Sequence, residues 1–562
     1  MKDPVSQPFN HCGMVETNHV LAHGPLPAGW QRRTLQHHSR EIHVLSAKHP
    51  ADTLSLPLNA KGKVEIHLGV FRPKGVVASM QVRLSSERYW RRVEPMIFID
   101  DPGGGLQDAV LGIREVKSGD RFLVRVQPDC CAALAYVHCA DASVPAPPLP
   151  RKNVGAVIDA HFAWTKYRID DPDDVLAIIA PFADSGFDRI CWGTGAGSWR
   201  ATYFSDVLPP LGEGLTEFPT RNGKVTADVM AMFQRRGIDP LKLVIDFAHE
   251  IGLELWANDR ICHGFDPAET RHIHLFSDFL FKNQHMRVMT MEGEKHHQAM
   301  LSLAYPEFRE LKIQFLREQA RYDIDGIYID FTRKSPVVGW EPPVLDSFKA
   351  TYGKDPYALP ASEWIHEWMA HQCSFVTRFM RELRAALDNV ESETGRRLPI
   401  AAQVPAGWRF YRNVPECYAN GLDIATWAQE GLVDIVAPSD DLWHRPIYLD
   451  HLPRLFDGTN TALWGCLHQR AEECYPSGHD ADDGNVYLEA HVDPMLVLRS
   501  AADLYHQGAE GLFLWEAGDL PTVLPRWELF NSLGDREGLA AMFGPPIAGR
   551  DGRQRFEQWV LE

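Results

Sequence analysis

A chain of 562 residues is longer than one hydrophobic core needs, so two or three domains are expected. It is 45% hydrophobic and 23% charged, an ordinary globular composition, and 75 acidic against 57 basic residues leave a formal charge of -18. That balance argues against a nucleic-acid or anionic-membrane partner, because phosphate binding needs concentrated Lys and Arg.

The opening residues, MKDPVSQPFNHCGMVETNHV, hold no apolar run of signal-peptide length. No later run is long and apolar enough to span a bilayer, so the chain as written is expected in the cytoplasm. The ten Cys fit reduced thiols: they are scattered, Cys130 and Cys131 are adjacent, and no CxxC pairs form a zinc site.

Residues 1–150 read as a β-rich accessory domain. KVEIHLGVF, ASMQVRLSS, PMIFID and RFLVRVQP are short runs of β character separated by turn residues, which suggests a β-sandwich-like unit. The Pro-rich SVPAPPLPRKN, residues 143–153, reads as a linker.

Strands and helices alternate after that. VGAVIDAHF is a strand, DPDDVLAIIAPFADSG an acid-capped helix, and FDRICWGTG a second strand. DPLKLVIDFAHEIG is a helix and LELWAND the third strand. An insertion over residues 260–297 precedes the helix YPEFRELKIQFLREQARYD and the fourth strand, DGIYIDF. A long helix, SEWIHEWMAHQCSFVTRFMRELRAALDNV, leads to LPIAAQVPA. The remaining strands are VDIVAPSD, TALWGCLHQ and AEGLFLWEAGD, each preceded by a turn or helix pattern. Eight alternating strands point to a (β/α)₈ TIM barrel over residues 151–535, with a short C-terminal segment at 536–562. No strand is followed by a glycine-rich nucleotide loop, which counts against an open doubly wound sheet.

The C-terminal ends of barrel strands build active sites, so the exit residues matter most. Strand one exits at Asp159, His161 and Trp164, and strand two at Trp192. Strand three offers Trp256, Asn258 and Arg260; strand four, Asp330 and Arg333; strand five, Gln403. Strands six to eight offer Ser439, Asp440 and Asp441, then Trp464 and His468, then Trp515, Glu516 and Asp519. Carboxylates, amides and indoles in one ring suit a sugar: aromatic faces stack on C–H faces while polar groups bond hydroxyls. Glycosidic cleavage needs two carboxylates, one to protonate the leaving oxygen and one to act at the anomeric carbon. Asp330 is the leading candidate, because a carboxylate ending an apolar strand must be solvated, paired or used. Glu516, Asp440 and Asp441 are candidates for the partner. Asp325, in the turn that enters strand four, reads as a floor residue.

Candidate substrate contacts are Trp256, Asn258, Arg260, Arg333, Gln403, His161, Trp192, Trp464 and Trp515. The two Arg would suit an anionic sugar substituent. A metal-dependent hydrolase is a rival, on Asp159, His161, His263, His296 and His297, but no H-x-H ends a strand. No metal or other cofactor is expected. A non-catalytic carbohydrate-binding barrel is the second rival.

The stretch LSLAYPEFRELKIQFLREQARYDIDGIYIDFTRK resembles the glycosyl-hydrolase-like barrel family numbered ten. Later phrases, among them FKATYGKDP, RLPIAAQVPA and GLDIATWAQEGLVDIVAPSD, fit the same pattern, so the similarity covers most of residues 154–530. The resemblance implies a (β/α)₈ glycoside hydrolase of the broad amylase and galactosidase type. It puts the nucleophile on Asp330 and the acid/base on Asp440, Asp441 or Glu516. The chain departs from the family where a commoner D-Y-x-R-[YF]-P reads D-F-T-R-K-S-P. The expected partner is a carbohydrate; sugar, linkage and oligomeric state are left open.

Overall fold

The computed structural model describes residues 25–37, 40–72, 78–95, 105–142, 153–167, 169–197, 199–261, 264–268, 270–295, 300–332, 336–405, 416–439, 447, 449, 452–468, 470–471, 490–491, 493–519 and 530–544. The described residues fall into two compact units, 25–142 and 153–544.

The first unit is a pair of antiparallel sheets, one of five strands and one of four. In Gly62–Phe71, Val64, Ile66 and Leu68 are buried and alternate with Lys63, Glu65 and His67, the period-two pattern of a strand with one face in a core. That core gathers Ile66, Leu68, Val82, Phe122 and Val124 with their neighbours. The unit is sandwich-like. Of the four strands read from sequence, PMIFID falls mostly on residues 96–100, outside the described residues. Strands at Trp30–His37, Arg40–Lys48, Leu54–Pro57, Arg91–Val93, Leu106–Val116 and Cys131–Asp141 are not read from the sequence. Charged and polar residues dilute the alternation in Trp30–His37, Arg40–Lys48 and Leu106–Val116, two strands are short, and CAALAYVHCAD is an apolar run without alternation.

In the second unit eight parallel strands close into a barrel. They are β1 (Val154–Ile158), β2 (Arg189–Gly193), β3 (Glu254–Arg260), β4 (Gly326–Asp330), β5 (Ile400–Pro405), β6 (Ile435–Ser439), β7 (Ala462–His468) and β8 (Gly511–Trp515). The described helices of eight residues or more before β6 are α1 (Ala160–Tyr167), α2 (Pro172–Ile179), α3 (Arg221–Arg236), α4 (Pro240–Glu250), α5 (Pro306–Gln319), α6 (Pro342–Tyr352) and α7 (Ile365–Thr394). The shorter α8 (Ile424–Gln429) precedes β6, and α9 (Pro494–His506) precedes β8. This is the (β/α)₈ TIM barrel expected from the alternation.

An Asp-Pro pair starts three of these helices. Asp171, Asp239 and Asp493 accept a hydrogen bond from the backbone two residues on, at 3.0, 2.8 and 2.8 Å. The Pro that follows each lacks an N–H the helix could not have used. Helices α1, α3 and α6 are not read from the sequence. Helix α1 begins inside VGAVIDAHF, whose first five residues alone are strand. Helices α3 and α6 sit inside long connections, although α3 buries Val225, Val229, Met230 and Phe233 at helical spacing.

Strand parity decides what lines the barrel. Val157, Cys191, Trp256, Tyr328, Ala401, Ala437, Cys466, Phe513 and Trp515 form the interior cluster. Residues one step away, such as Ile190, Ala257 and Ile329, face the helices. At the floor Arg189 lies over the rings of Trp256 and Trp464, 5.0 and 4.7 Å from their centroids, and pairs with Asp188. Two glycines make room for these indoles: a Cβ on Gly326 or Gly511 would come within 2.5 Å of the Trp256 or Trp464 ring. Asp325 is also at this end, accepting from Leu255 N at 2.7 Å and His249 Nε2 at 2.8 Å.

Candidate active site

At the opposite end, β3 and β4 run in register with Arg260 beside Asp330, and both side chains point inward. Asp330 is fully buried. Its Oδ1 accepts from the backbone N–H of Thr332 at 2.7 Å and from the Thr332 hydroxyl at 2.6 Å. Arg260 Nε lies 3.7 Å from its Oδ2.

Arg260 is the hub of the mouth. Its Nη1 donates to Asp159 Oδ2 at 2.8 Å and its Nη2 to Glu516 Oε1 at 3.3 Å. Its guanidinium carbon sits 5.1 Å from the Trp515 ring centroid. Burial by itself would weaken the charge, but Asp159, Glu516 and Asp330 together hold the guanidinium above its ordinary pKa. A single planar cation therefore bridges carboxylates from β1, β4 and β8, in a setting where little water screens them.

Glu516 reaches this position through an unusual backbone. Its φ is +54°, a left-handed conformation that costs a non-glycine residue about 1–3 kcal/mol and persists only when the surroundings impose it. The turn directs the carboxylate inward immediately after the last residue of β8. Asp159 also holds His161, whose Nδ1 is 2.6 Å from Oδ1. Behind His161, burial pulls the His274 imidazole down to about 3, with the charges of His161, His272 and Arg200 adding to the effect.

A second layer of polar groups lies just below. Tyr328 donates its hydroxyl to Gln403 Oε1 at 2.7 Å. The other end of that amide, Gln403 Nε2, and the Oδ1 of Asn258 are buried with no hydrogen-bond partner among the described residues. Buried polar atoms of this kind are normally met by ordered water or by a ligand. His468 closes the ring, its Nε2 3.1 Å from Ser439 Oγ and its imidazole 5.1 Å from the Trp515 ring.

Of the residues expected at the site, the structure brings Asp330, Arg260, Glu516, Trp515 and His161 into one connected cluster, with Gln403 and Asn258 on neighbouring strands. Four indoles are placed elsewhere. Trp192 is one residue from the inward-facing Cys191, so it points into the helical layer. Trp256 and Trp464 do face inward, but at the floor with Arg189, because they come early in β3 and β7. Trp164, at the exit of β1, packs on Phe233 of α3. Arg333, Asp440 and Asp441 lie outside the described residues, as do His263, His296 and His297. Among the described residues, no group of three or more His, Cys, Asp or Glu is arranged to hold a metal ion. No helix among them is long and apolar enough to cross a membrane.

Two residues were undervalued. Asp159 was read as a strand exit but given no sugar-directed role, and nothing local shows that it meets Arg260, 101 positions away. Thr332 did carry a signal, since an Asp followed two residues later by Thr is a common side-chain-to-backbone turn.

Residues 213–445 match the family model described as glycosyl hydrolase-like 10. The match takes in α3 through β6, so it includes Arg260, Asp330 and Gln403 but neither Asp159 nor Glu516. Over these residues the chain is similar to glycosyl-hydrolase-like barrels. A comparison with curated proteins gave no significant match. Similar solved structures include an alpha-L-fucosidase isoenzyme 2 from Paenibacillus thiaminolyticus, 14% identical at a TM-score of 0.41, covering 69% of this chain and 49% of that one. An exo beta-N-acetylglucosaminidase from Vibrio harveyi is 10% identical at 0.36, covering 75% and 59%. An alpha-galactosidase from Thermus thermophilus is 12% identical at 0.33, covering 90% and 95%. The chain thus spans about half of the fucosidase and under two thirds of the glucosaminidase. Likenesses this distant assign no substrate.

Proposed function

We propose that this barrel cleaves glycosidic bonds of an oligo- or polysaccharide with two carboxylates and no cofactor. Asp330 is the nucleophile. Thr332 fixes its Oδ1, and Oδ2 forms the bond to the anomeric carbon as the bond to the leaving oxygen breaks. A second carboxyl group delivers its proton to that oxygen, then takes one from the water that hydrolyses the glycosyl ester. The observation that carries this reading is the inward carboxylate at the C-terminal end of β4, clamped by Thr332 and beside the Arg260 hub.

The acid/base is Glu516, Asp440 or Asp441. Glu516 shares the Arg260 guanidinium, and a proton on it would stand beside that charge. Asp440 and Asp441 directly follow Ser439, the last residue of β6. They are the better assignment on that ground. Gln403 Nε2 and Asn258 Oδ1 are suited to hydroxyls, and Trp515 to a C–H face of the ring.

The test is turnover of a glycan panel by the wild-type chain and by Asp330→Asn. Loss on the order of 1,000-fold or more, with glycan binding retained, is the expected result. A wild-type chain that binds a glycan but never cuts one would make this a carbohydrate-binding barrel instead.

A further inference from the structure

The geometry points to a second sugar-binding surface beside the mouth, an aromatic shelf formed by Trp340, Tyr357 and Met291 that carries a flanking part of a glycan chain. This rests on the glycosidase reading for the chemistry the shelf would serve. Five large hydrophobic side chains among the described residues are exposed, and two of them meet here: Tyr357 at 52% and Met291 at 37%. Scattered exposed apolar residues need no explanation, but neighbouring ones do.

The shelf is held from several directions. The Tyr357 hydroxyl donates to the Met291 carbonyl at 2.8 Å, and the backbone N–H of Trp340 donates to the Met289 carbonyl at 2.9 Å. The half-buried Trp340 stacks on buried Trp368 at 4.0 Å and 22°, and meets buried Trp364 edge-on at 5.5 Å. Tyr357 lies 5.8 Å from Trp340. Gly339 permits the close approach, since a Cβ there would sit 2.4 Å from the Met289 carbonyl oxygen. Little side-chain entropy is therefore left to lose when a ligand arrives.

Position and chemistry favour a glycan. Met291 belongs to the insertion after β3 and Trp340 to the connection after β4, so both leave the barrel at the end where Arg260 and Asp330 exit. Lys349 lies 6.0 Å from the Tyr357 centroid and pairs with Asp355 at 3.0 Å. The exposed Tyr357 ring, tilted 47° to Trp340 and edged by Lys349 and Asp355, offers an aromatic face beside charged groups, which suits a pyranose with its C–H face and rim of hydroxyls. Phosphate-rich polymers are disfavoured by the net charge of -18.

The experiment is native affinity electrophoresis of the full chain carrying Asp330→Asn in gels containing soluble starch, xylan or glycol chitosan. At least one polymer retards it, adding Tyr357→Ala weakens that retardation about five-fold or more, and adding Tyr357→Phe keeps most of it. Circular dichroism with an unchanged melting midpoint shows that the Ala variant is folded. Equal retardation with and without Tyr357→Ala, or no retardation by any of the three polymers, overturns the shelf. Reducing-end release from the same polymers by the wild-type chain tests the glycosidase reading separately. Binding through Tyr357 without any cutting sinks that reading and leaves the shelf, whereas cutting with no dependence on Tyr357 in either assay does the reverse.

Discussion

Thr332 directs two hydrogen bonds at a single oxygen of Asp330, its N–H at 2.7 Å and its hydroxyl at 2.6 Å, both to Oδ1. The carboxylate is thereby fixed in rotation, with its second oxygen turned toward Arg260. A hydrogen bond to a charged group is worth about 1.5–3 kcal/mol. Thr332→Val keeps the backbone bond and loses the hydroxyl. It is expected to lower kcat by about 10- to 100-fold with little change in KM, and Thr332→Ser to recover most of the loss. Steady-state kinetics on whichever glycan the panel identifies decides it; a Val variant as active as Ser would remove Thr332 from the positioning of Asp330.

Arg260 supplies a different test, because it is shared. Removing it leaves Asp159, Asp330 and Glu516 facing one another without the cation that bridges them. Truncating one partner of a buried ion network costs about 3–5 kcal/mol. Arg260→Met is therefore expected to lower stability by that amount and to abolish turnover. Arg260→Lys keeps the charge but cannot span three carboxylates with one planar fork, so intermediate stability and severely reduced turnover are expected. Urea denaturation with parallel activity measurements distinguishes these outcomes, and a Lys variant of full activity would mean that charge alone suffices.

The end of β4 was legible in the sequence because an apolar run stopping on Asp is a local signal. The parity of β2 was not. In RICWG every residue is buried, so no alternation tells which of Cys191 and Trp192 faces the barrel. Depth was equally hidden: Trp256 and Trp464 share the inward face with residues at the mouth, yet lie a layer or more below it. The Arg260 hub depends on residues from β1, β3, β4 and β8 that only barrel closure brings together. Local pattern thus reported the fold and one carboxylate, while the assembly of the site is a long-range fact.

On the outer face of β3, Asp259 and Lys312 form an ion pair at 2.5 Å with both side chains fully buried. It ties α5 to the strand that ends in Arg260. A Cβ on Gly195 would fall 2.6 Å from Asp259 Oδ1, so the space around this carboxylate is tightly filled. Lys312→Met would leave a buried carboxylate uncompensated and should cost about 3–5 kcal/mol. The double variant Asp259→Asn with Lys312→Met should lose clearly less than the two single losses added together. Chemical denaturation of the four proteins gives the cycle; strict additivity would show that the two side chains do not act as a pair.

Glu341, the residue before α6, provides the pH dependence. Burial raises its carboxyl to about 7 from an ordinary value of 4.5, against the opposing hydrogen bonds from its own backbone, from Ser302 and from Gly339 N. The folded state then holds a proton that the unfolded chain has released between about pH 4.5 and 7. Stability is fully present below about 4.5 and is lost as pH rises through about 7, by about 3 kcal/mol in all. Glu341→Gln should flatten this slope: it should match the wild type near pH 5 and exceed it by pH 8. The carboxylate accepts from Gly339 N at 3.0 and 2.9 Å, and the Gln carbonyl can keep one of these contacts. Melting midpoints at pH 5 and pH 8 suffice to measure it. Equal slopes in the two proteins would mean that Glu341 is charged across this range and that another group sets the pH response.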